Sequence, residues 1–313
     1  MPNKGRRKMK KFFIQPTDIK TIFEDLQTIP EGIEIIGARK AWEKSQKGSG
    51  IVIAVIDSGC DINHPDLKDN IIGGYNFTND DEGNKDIFKD YIGHGTHVSG
   101  IIAASDNDKG VVGVAPKSKL LVLKVIDKSR SGSYEQVVEA IRYAINWVGP
   151  NGEKVSVINM SIGGPHSDEE LYEAIKQARK EGIILVAAAG NEGDGNKDSY
   201  EVSFPGFYKE VIQVGSVTES LKPSRFSNTN VNLDFVAPGE NVLSTHLNGK
   251  YVELSGTSMA APHVSGAIAL ILNMLELKRD SMTPNIVYLY LMEHAKKLGF
   301  SINEEGNGLI QLI

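Results

Sequence analysis

Leu-Ser-Gly-Thr-Ser-Met-Ala-Ala-Pro-His, residues 254–263, joins a strand-like run at 251–254 to a long apolar helix pattern at 259–277. The small residues of this turn place the Ser258 hydroxyl at a helix N-terminus, where unpaired N–H groups and the positive end of the dipole stabilise a developing anion. Ser258 is therefore a candidate nucleophile. The alternative is a purely structural serine that caps the helix.

A serine nucleophile needs a base and a group that orients the base. Ile51-Val-Ile-Ala-Val-Ile-Asp57 is a buried-strand pattern that ends on an acid, and Gly93-His94-Gly-Thr-His-Val-Ser-Gly100 places a histidine among glycines where a helix pattern begins. A strand end holds Asp57 rigidly, and the glycines let a substrate backbone approach His94. Alone, Asp57 is equally typical of a turn former and His94 of a histidine that only begins a helix.

Short apolar strand patterns alternate with helix patterns along the chain. The predicted strands are 51–56, 119–125, 155–160, 183–188, 211–217 and 233–236. The predicted helices are 96–104, 134–147, 168–181 and 259–277. This alternation favours an α/β fold with a mostly parallel central sheet covered by helices on both faces.

Taken in the order Asp57, His94, Ser258, the three segments resemble those of the subtilisin-like serine proteases, the subtilases. The resemblance covers about residues 27–309 and implies the three-layer subtilisin-like fold. It implies that Ser258 attacks a peptide carbonyl, that His94 takes and returns the proton, and that Asp57 orients His94. Asn191 matches the asparagine whose amide binds the oxyanion, together with the Ser258 backbone N–H; the alternative is a turn asparagine before glycine.

The resemblance also assigns a substrate-binding region in which a peptide adds as a strand between two edges. One edge is formed by Ser131 and Gly132, and the other by Ser161, Ile162 and Gly163. The wall of the pocket for the P1 residue, whose carbonyl is attacked, is formed by Ala188, Ala189, Gly190 and Glu192.

A structural calcium ion is the cofactor that the resemblance implies. Its ligands are side-chain oxygens of Gln27, Asp66 and Asn107 and backbone carbonyls of Ser105, Lys109 and Val111, a set that suits a hard cation. Asp234 matches a second, weaker cation site. The spacing of His94 and His97, with Cys60 and His64 near Asp57, leaves a zinc site as an alternative.

Charge and composition narrow the function classes. The first eleven residues carry six basic side chains and no acid; since the whole chain has a net charge of −6, the remainder has −12, which disfavours nucleic-acid binding. The basic start lacks the apolar stretch of a secretory signal, no run is long enough for a membrane span, and Cys60 is the single cysteine. We expect a cytoplasmic protein.

Residues 1–25 precede the expected peptidase domain at 26–313. With Cys60 and the missing signal, they most resemble the short extension of the intracellular subtilisins of bacilli, which lies across the active site until it is removed from a homodimeric enzyme. Ile14, Gln15 and Pro16 match the inhibitory segment, and the alternative is a disordered basic tail. We therefore predict a serine endopeptidase of protein or peptide substrates; the competing interpretation is a catalytically silent binding protein of the same fold.

Overall fold

The computed structural model describes residues 11–13, 20–22 and 27–313. Its strands are β1 Lys11–Phe13, β2 Lys20–Ile22, β3 Val52–Asp57, β4 Ile71–Asn76, β5 Lys119–Lys124, β6 Ser131–Ser133, β7 Val155–Met160, β8 Ile184–Ala188, β9 Ile212–Val217, β10 Phe235–Pro238, β11 Val242–His246 and β12 Lys250–Leu254. Its α-helices are α1 Glu31–Ile35, α2 Ala38–Ala41, α3 His94–Ala103, α4 Tyr134–Asn146, α5 Glu169–Lys180, α6 Thr257–Met274, α7 Thr283–His294 and α8 Ile302–Glu305.

Seven strands form a central sheet in the order β10-β9-β8-β7-β3-β5-β4, and every pairing in it is parallel. Two smaller antiparallel sheets flank it, β1 with β6 and β11-β12-β2. Because a parallel strand has helices on both sides, β3 is buried along its whole length.

Alternate residues of each central strand supply two cores. One face of β3, with Ile53 and Val55, belongs to the core that includes α3 and α6. The opposite face, with Ala54 and Ile56, belongs to the core that includes α4 and α5. The predicted α/β fold with helices on both faces is therefore confirmed.

The predicted elements are found with boundaries shifted by up to three residues. The structure adds strand β4 at one edge of the sheet and helix α7, which the sequence patterns did not indicate. Within the described residues, none of the helices combines the length and the apolar character that crossing a bilayer requires.

Candidate active site

The candidate catalytic residues come from one strand end of the central sheet and from the first turns of two helices. Asp57 is the last residue of β3, His94 is the first residue of α3, and Ser258 is the second residue of α6. Asp57 and His94 are both buried, and His94 Nδ1 lies 2.7 Å from Asp57 Oδ1. A carboxylate only accepts, so this contact places a proton on Nδ1 and leaves Nε2 to act as a base.

Asp90 sets the position of His94, a role that the sequence did not indicate. Its carboxylate accepts from the backbone N–H groups of Ile92, Gly93 and Thr96 and so satisfies the start of α3. It also accepts from the Ser58 hydroxyl, which binds the end of β3 to the start of α3. The only sequence signal for this arrangement is an acid shortly before a helix pattern.

Charged neighbours tune the imidazole. Burial acts to lower the pKa of His94, but the carboxylates of Asp57 and Asp90 outweigh burial, so the pKa is raised above its ordinary value. The positive charge of Arg130 acts in the opposite direction. Asp57 lies at the end of β3, Asp90 lies before α3, and Arg130 lies before β6.

Ser258 and Asn191 complete the arrangement. Ser258 Oγ donates to the Ser161 carbonyl at 3.1 Å. Asn191 Oδ1 accepts from the Thr257 backbone N–H at 2.8 Å and from the Thr257 hydroxyl at 3.0 Å, which leaves its Nδ2 without an acceptor among the described residues. The Ser258 N–H lies in the first turn of α6, where backbone donors have no partner within the helix. Two donors are thus available beside the Ser258 hydroxyl.

One cleft contains these groups. It is lined by His94, Ser161, Ile162, Gly163, Ala188, Gly190, Asn191, Glu192, Ser203, Ser255, Thr257, Ser258 and Met259. Of the expected pocket wall, Ala189 faces away, since its side chain is buried in a core cluster with Val217 and Leu233. Glu192 Oε2 is bound by Asn228 Nδ2 at 2.9 Å, so its carboxylate is held at the rim. Sequence reasoning missed Ser203, which comes from a distant loop and abuts Gly163.

Comparison with known proteins agrees with this geometry. The subtilase family model matches residues 48–308. The chain belongs to the subtilase family. It is therefore a serine-type endopeptidase, and the predicted family and enzyme class are confirmed.

Individual subtilases match over almost the whole chain. An "Intracellular serine protease" of Paenibacillus polymyxa is 48% identical over 97% of this chain and 91% of that protein. A "Major intracellular serine protease" of Bacillus subtilis (strain 168) is 49% identical over 92% of this chain and 89% of its own length. "Subtilisin DY" of Bacillus licheniformis is 40% identical over 91% of this subtilase and 98% of its own length.

The residues expected to bind calcium lie together in the subtilase structure. Gln27 Nε2 donates to the carbonyls of Ser105 and Lys109 at 2.9 and 3.2 Å. Asp66 accepts from Asn107 Nδ2 at 3.2 Å and from the Val111 N–H at 3.0 Å. The Asp66 carboxylate, two side-chain amides and two backbone carbonyls therefore lie close together at one loop.

The histidines of the zinc alternative have structural partners. His97 Nε2 bonds to the carbonyls of Val242 and Val252, and burial lowers its pKa to about 3. His64 Nε2 bonds to the Lys250 carbonyl, and its Nδ1 accepts from the Asp66 N–H. In the part of the chain that the structure describes, no three His, Cys, Asp or Glu side chains form a metal-binding group.

The N-terminal extension contacts the body through two strands. β1 pairs antiparallel with β6, with Lys11 opposite Ser133 and Phe13 opposite Ser131. β2 pairs antiparallel with β12, with Ile22 opposite Tyr251. Ile14, Gln15 and Pro16 lie outside the described residues.

Proposed function

We propose that the subtilase hydrolyses peptide bonds with Asp57, His94 and Ser258 as a catalytic triad and Asn191 as an oxyanion donor. The observation that carries this proposal is the shared cleft: His94, Ser258 and Asn191 line it, and the Asp57 carboxylate holds His94 at 2.7 Å. The arrangement suits acyl transfer because nucleophile, base and donors border one space.

The first half of the reaction forms an acyl-enzyme. Ser258 Oγ rotates from the Ser161 carbonyl toward His94 Nε2, gives up its proton and bonds to the substrate carbonyl carbon. Asn191 Nδ2 and the Ser258 N–H stabilise the oxyanion. His94 then protonates the leaving amine as the peptide C–N bond breaks.

The second half regenerates the enzyme. Water loses a proton to His94 and attacks the acyl carbon, and the Ser258 Oγ leaves with the proton that His94 returns. Because Ser258 rotates away from it in the first half of the reaction, the Ser161 carbonyl is free to accept an N–H of the substrate backbone.

Active-site labelling tests the assignment against the catalytically silent alternative. A fluorophosphonate should label the wild type, and the covalent adduct should not be hydrolysed. Ser258→Ala should abolish both labelling and casein cleavage. Ser220→Ala is the matched control and should behave as wild type, because it removes an exposed hydroxyl that, among the described residues, bonds only Thr218. Absence of labelling in a folded chain that starts at Leu26, and so lacks the proposed inhibitory extension, would favour the silent protein.

We further propose that Gln27, Asp66, Ser105, Asn107, Lys109 and Val111 hold a structural calcium ion. The oxygens around Asp66 support this, and the Gln27 amide, whose N and O are interchangeable by rotation, already contacts two carbonyls. An ion bound only by the folded state stabilises it by mass action.

Chelation tests the ion. In a Ser258→Ala background, which prevents autolysis, excess chelator should lower Tm by many degrees, and Asp66→Asn should lose this response. Asp106→Asn is the control, because Asp106 lies on the same loop but pairs with Lys47. An unchanged melting curve, with no calcium in the purified protein, would remove the proposal.

We also propose that residues 1–25 form an inhibitory extension. The pairing of β1 with β6 supports this, because β6 contains Ser131 and Gly132, the edge that the resemblance gives to substrate. A tethered segment competes at an effective concentration near millimolar. Pro16 has a fixed φ and no N–H, so it resists pairing as a substrate strand.

Truncation distinguishes inhibition from a passive tail. A chain starting at Leu26 should cleave a small peptide faster than the full chain whose mass shows an intact extension, and Pro16→Ala should speed self-cleavage. Equal rates for the unprocessed and truncated chains would contradict inhibition.

We also propose that the subtilase acts in the cytoplasm as a homodimer. Relatives named as intracellular proteases support the location, and the resemblance suggests the homodimer. Fractionation and sedimentation of the native protein test the two statements; a periplasmic or extracellular pool, or a monomer at micromolar concentration, would contradict them.

A further inference from the structure

Arg130 immediately precedes strand β6 and has an unusual backbone conformation. Its φ is 65°, in the left-handed region that non-glycine residues seldom adopt. The turn is held by Asp127, whose Oδ1 accepts from the Ser129 N–H and hydroxyl and from the Ser131 N–H. The carboxylate of the turn is thus engaged with its own backbone.

Within the described residues, no carboxylate lies within ion-pair distance of the Arg130 guanidinium. Its side chain is partly exposed. The turn that precedes β6, the expected substrate edge, therefore carries a charge that no described carboxylate neutralises.

The order of the strands places this charge on a particular side of the cleft. β8 and β7 lead to the expected P1 wall and to Ser161, whereas the neighbouring β3 ends at Asp57 and β5 leads into the Arg130 turn. His94 is close enough for the charge of Arg130 to act on its pKa. Arg130 and His94 thus lie on the side of Ser258 away from the P1 wall.

A bound substrate strand presents successive side chains to opposite sides. If the P1 side chain enters the pocket beside Ala188 and Gly190, the side chain before it faces His94 and Arg130. An acidic side chain there would meet an unpaired guanidinium, whereas a basic one would meet a like charge.

We propose that Arg130 is a specificity-determining residue that selects an acidic side chain at the second residue before the scissile bond. The proposal rests on the proposed catalytic function, and it names a feature of the substrate that the catalytic groups do not determine. Arg130 has a second effect through the same charge. It opposes the carboxylates of Asp57 and Asp90 and so favours the neutral imidazole that the reaction needs.

Three peptides that differ only in Glu, Gln or Lys at this position test the selection. The wild type should show kcat/KM in the order Glu, Gln, Lys, with on the order of a five-fold advantage of Glu over Gln at low salt, as for a partly exposed ion pair. Salt at about 0.5 M should reduce the advantage by screening.

Variants assign the preference to this side chain. Arg130→Asn, chosen because asparagine tolerates a positive φ, should remove the preference for Glu over Gln, and Arg130→Lys should keep most of it. Lys128→Gln, which removes a neighbouring exposed charge of the same turn, is the matched control and should retain the preference. In Arg130→Asn the acid limb of kcat/KM should move to higher pH, since the pKa of His94 rises when the opposing charge is lost.

The outcomes separate the two proposals. A wild type that cleaves all three peptides equally, or an Arg130→Asn variant that keeps both the preference and the acid limb, overturns the role of Arg130 and leaves the triad intact. A folded chain without residues 1–25 that neither cleaves any peptide nor reacts with a fluorophosphonate overturns the proposed catalytic function itself.

Discussion

Ser161 and Ser258 are joined by two reciprocal hydrogen bonds: Ser258 Oγ donates to the Ser161 carbonyl at 3.1 Å, and Ser161 Oγ donates to the Ser258 carbonyl at 2.8 Å. The second bond continues into the core, because Asn159 Nδ2 donates to Ser161 Oγ and Ser265 Oγ donates to Asn159 Oδ1. The start of α6 is therefore tied to the end of β7 through polar groups.

Ser161→Ala should loosen this connection. The buried Asn159 amide and the partly buried Ser258 carbonyl each lose a partner, so the free energy of unfolding should fall by about 1–3 kcal/mol. Urea denaturation in the Ser258→Ala background measures it, with Ser220→Ala as control. A change below about 0.5 kcal/mol, the range of ordinary surface substitutions, would show that the network adds no stability.

Asn191→Leu should act on the chemical step. Without the amide donor, kcat should fall about 10²–10³-fold, the loss known for one such donor in subtilisin itself, while KM changes little. Thr257→Val removes only one of the two groups that hold Asn191 Oδ1, so its loss in kcat should be smaller. Separate kcat and KM values decide this; a loss confined to KM would contradict an oxyanion role.

Asp57→Asn should move the pH profile as well as the rate. Burial lowers the pKa of His94 and the carboxylates raise it, so removal of the Asp57 charge leaves burial less opposed and the pKa falls. The acid limb of kcat/KM should then shift to lower pH, while kcat falls about 10⁴-fold as the tautomer is lost. If the acid limb of Asp57→Asn stays at the wild-type pH, Asp57 is not the group that sets the pKa of His94.

Asp234 should make stability depend on pH. Burial raises its pKa to about 6, although it accepts from Tyr288 Oη and the Gln213 N–H. Between about pH 4 and 6 the folded state holds a proton that the unfolded state releases, so this carboxyl weakens the fold as pH rises through that window. Above about pH 6 its unfavourable contribution is complete.

The unfolding free energy of the wild type minus that of Asp234→Asn, both with Ser258→Ala, should therefore decrease by about 1–3 kcal/mol from pH 4 to 6. A flat difference would contradict the raised pKa. A difference that instead follows calcium concentration would support the weaker cation site that the resemblance suggested.

Continuous apolar patterns made the central strands predictable, whereas interrupted patterns hid other elements. β4 contains Gly73 and Gly74, and Gly74 lies against the Phe88 ring. These glycines have no apolar side chains, so the sequence of β4 lacks the continuous apolar pattern of a buried strand. α7 exposes Ile286, Leu289 and Met292, which blurs its helical period.

The candidate site was predictable where its motifs are local. Asp57, His94 and Ser258 each lie in a distinctive stretch, and the sheet edge brings these stretches together. Ser203 lines the cleft, and Arg130 acts on the pKa of His94, only because of tertiary contacts and loop conformation, so short patterns contain no signal for them.

Strand β2 has a consequence for the shape of a processed chain. A protein that begins at Leu26 lacks residues 20–22, so Tyr251, Val252 and Glu253 lose the neighbour with which they pair. The outer border of β12 would then carry open backbone donors and acceptors, the kind of surface on which another polypeptide can dock or a cluster of molecules can grow. The proposed removal of the extension would therefore expose this border, and faster amide exchange at residues 251–253 in the truncated chain would show it.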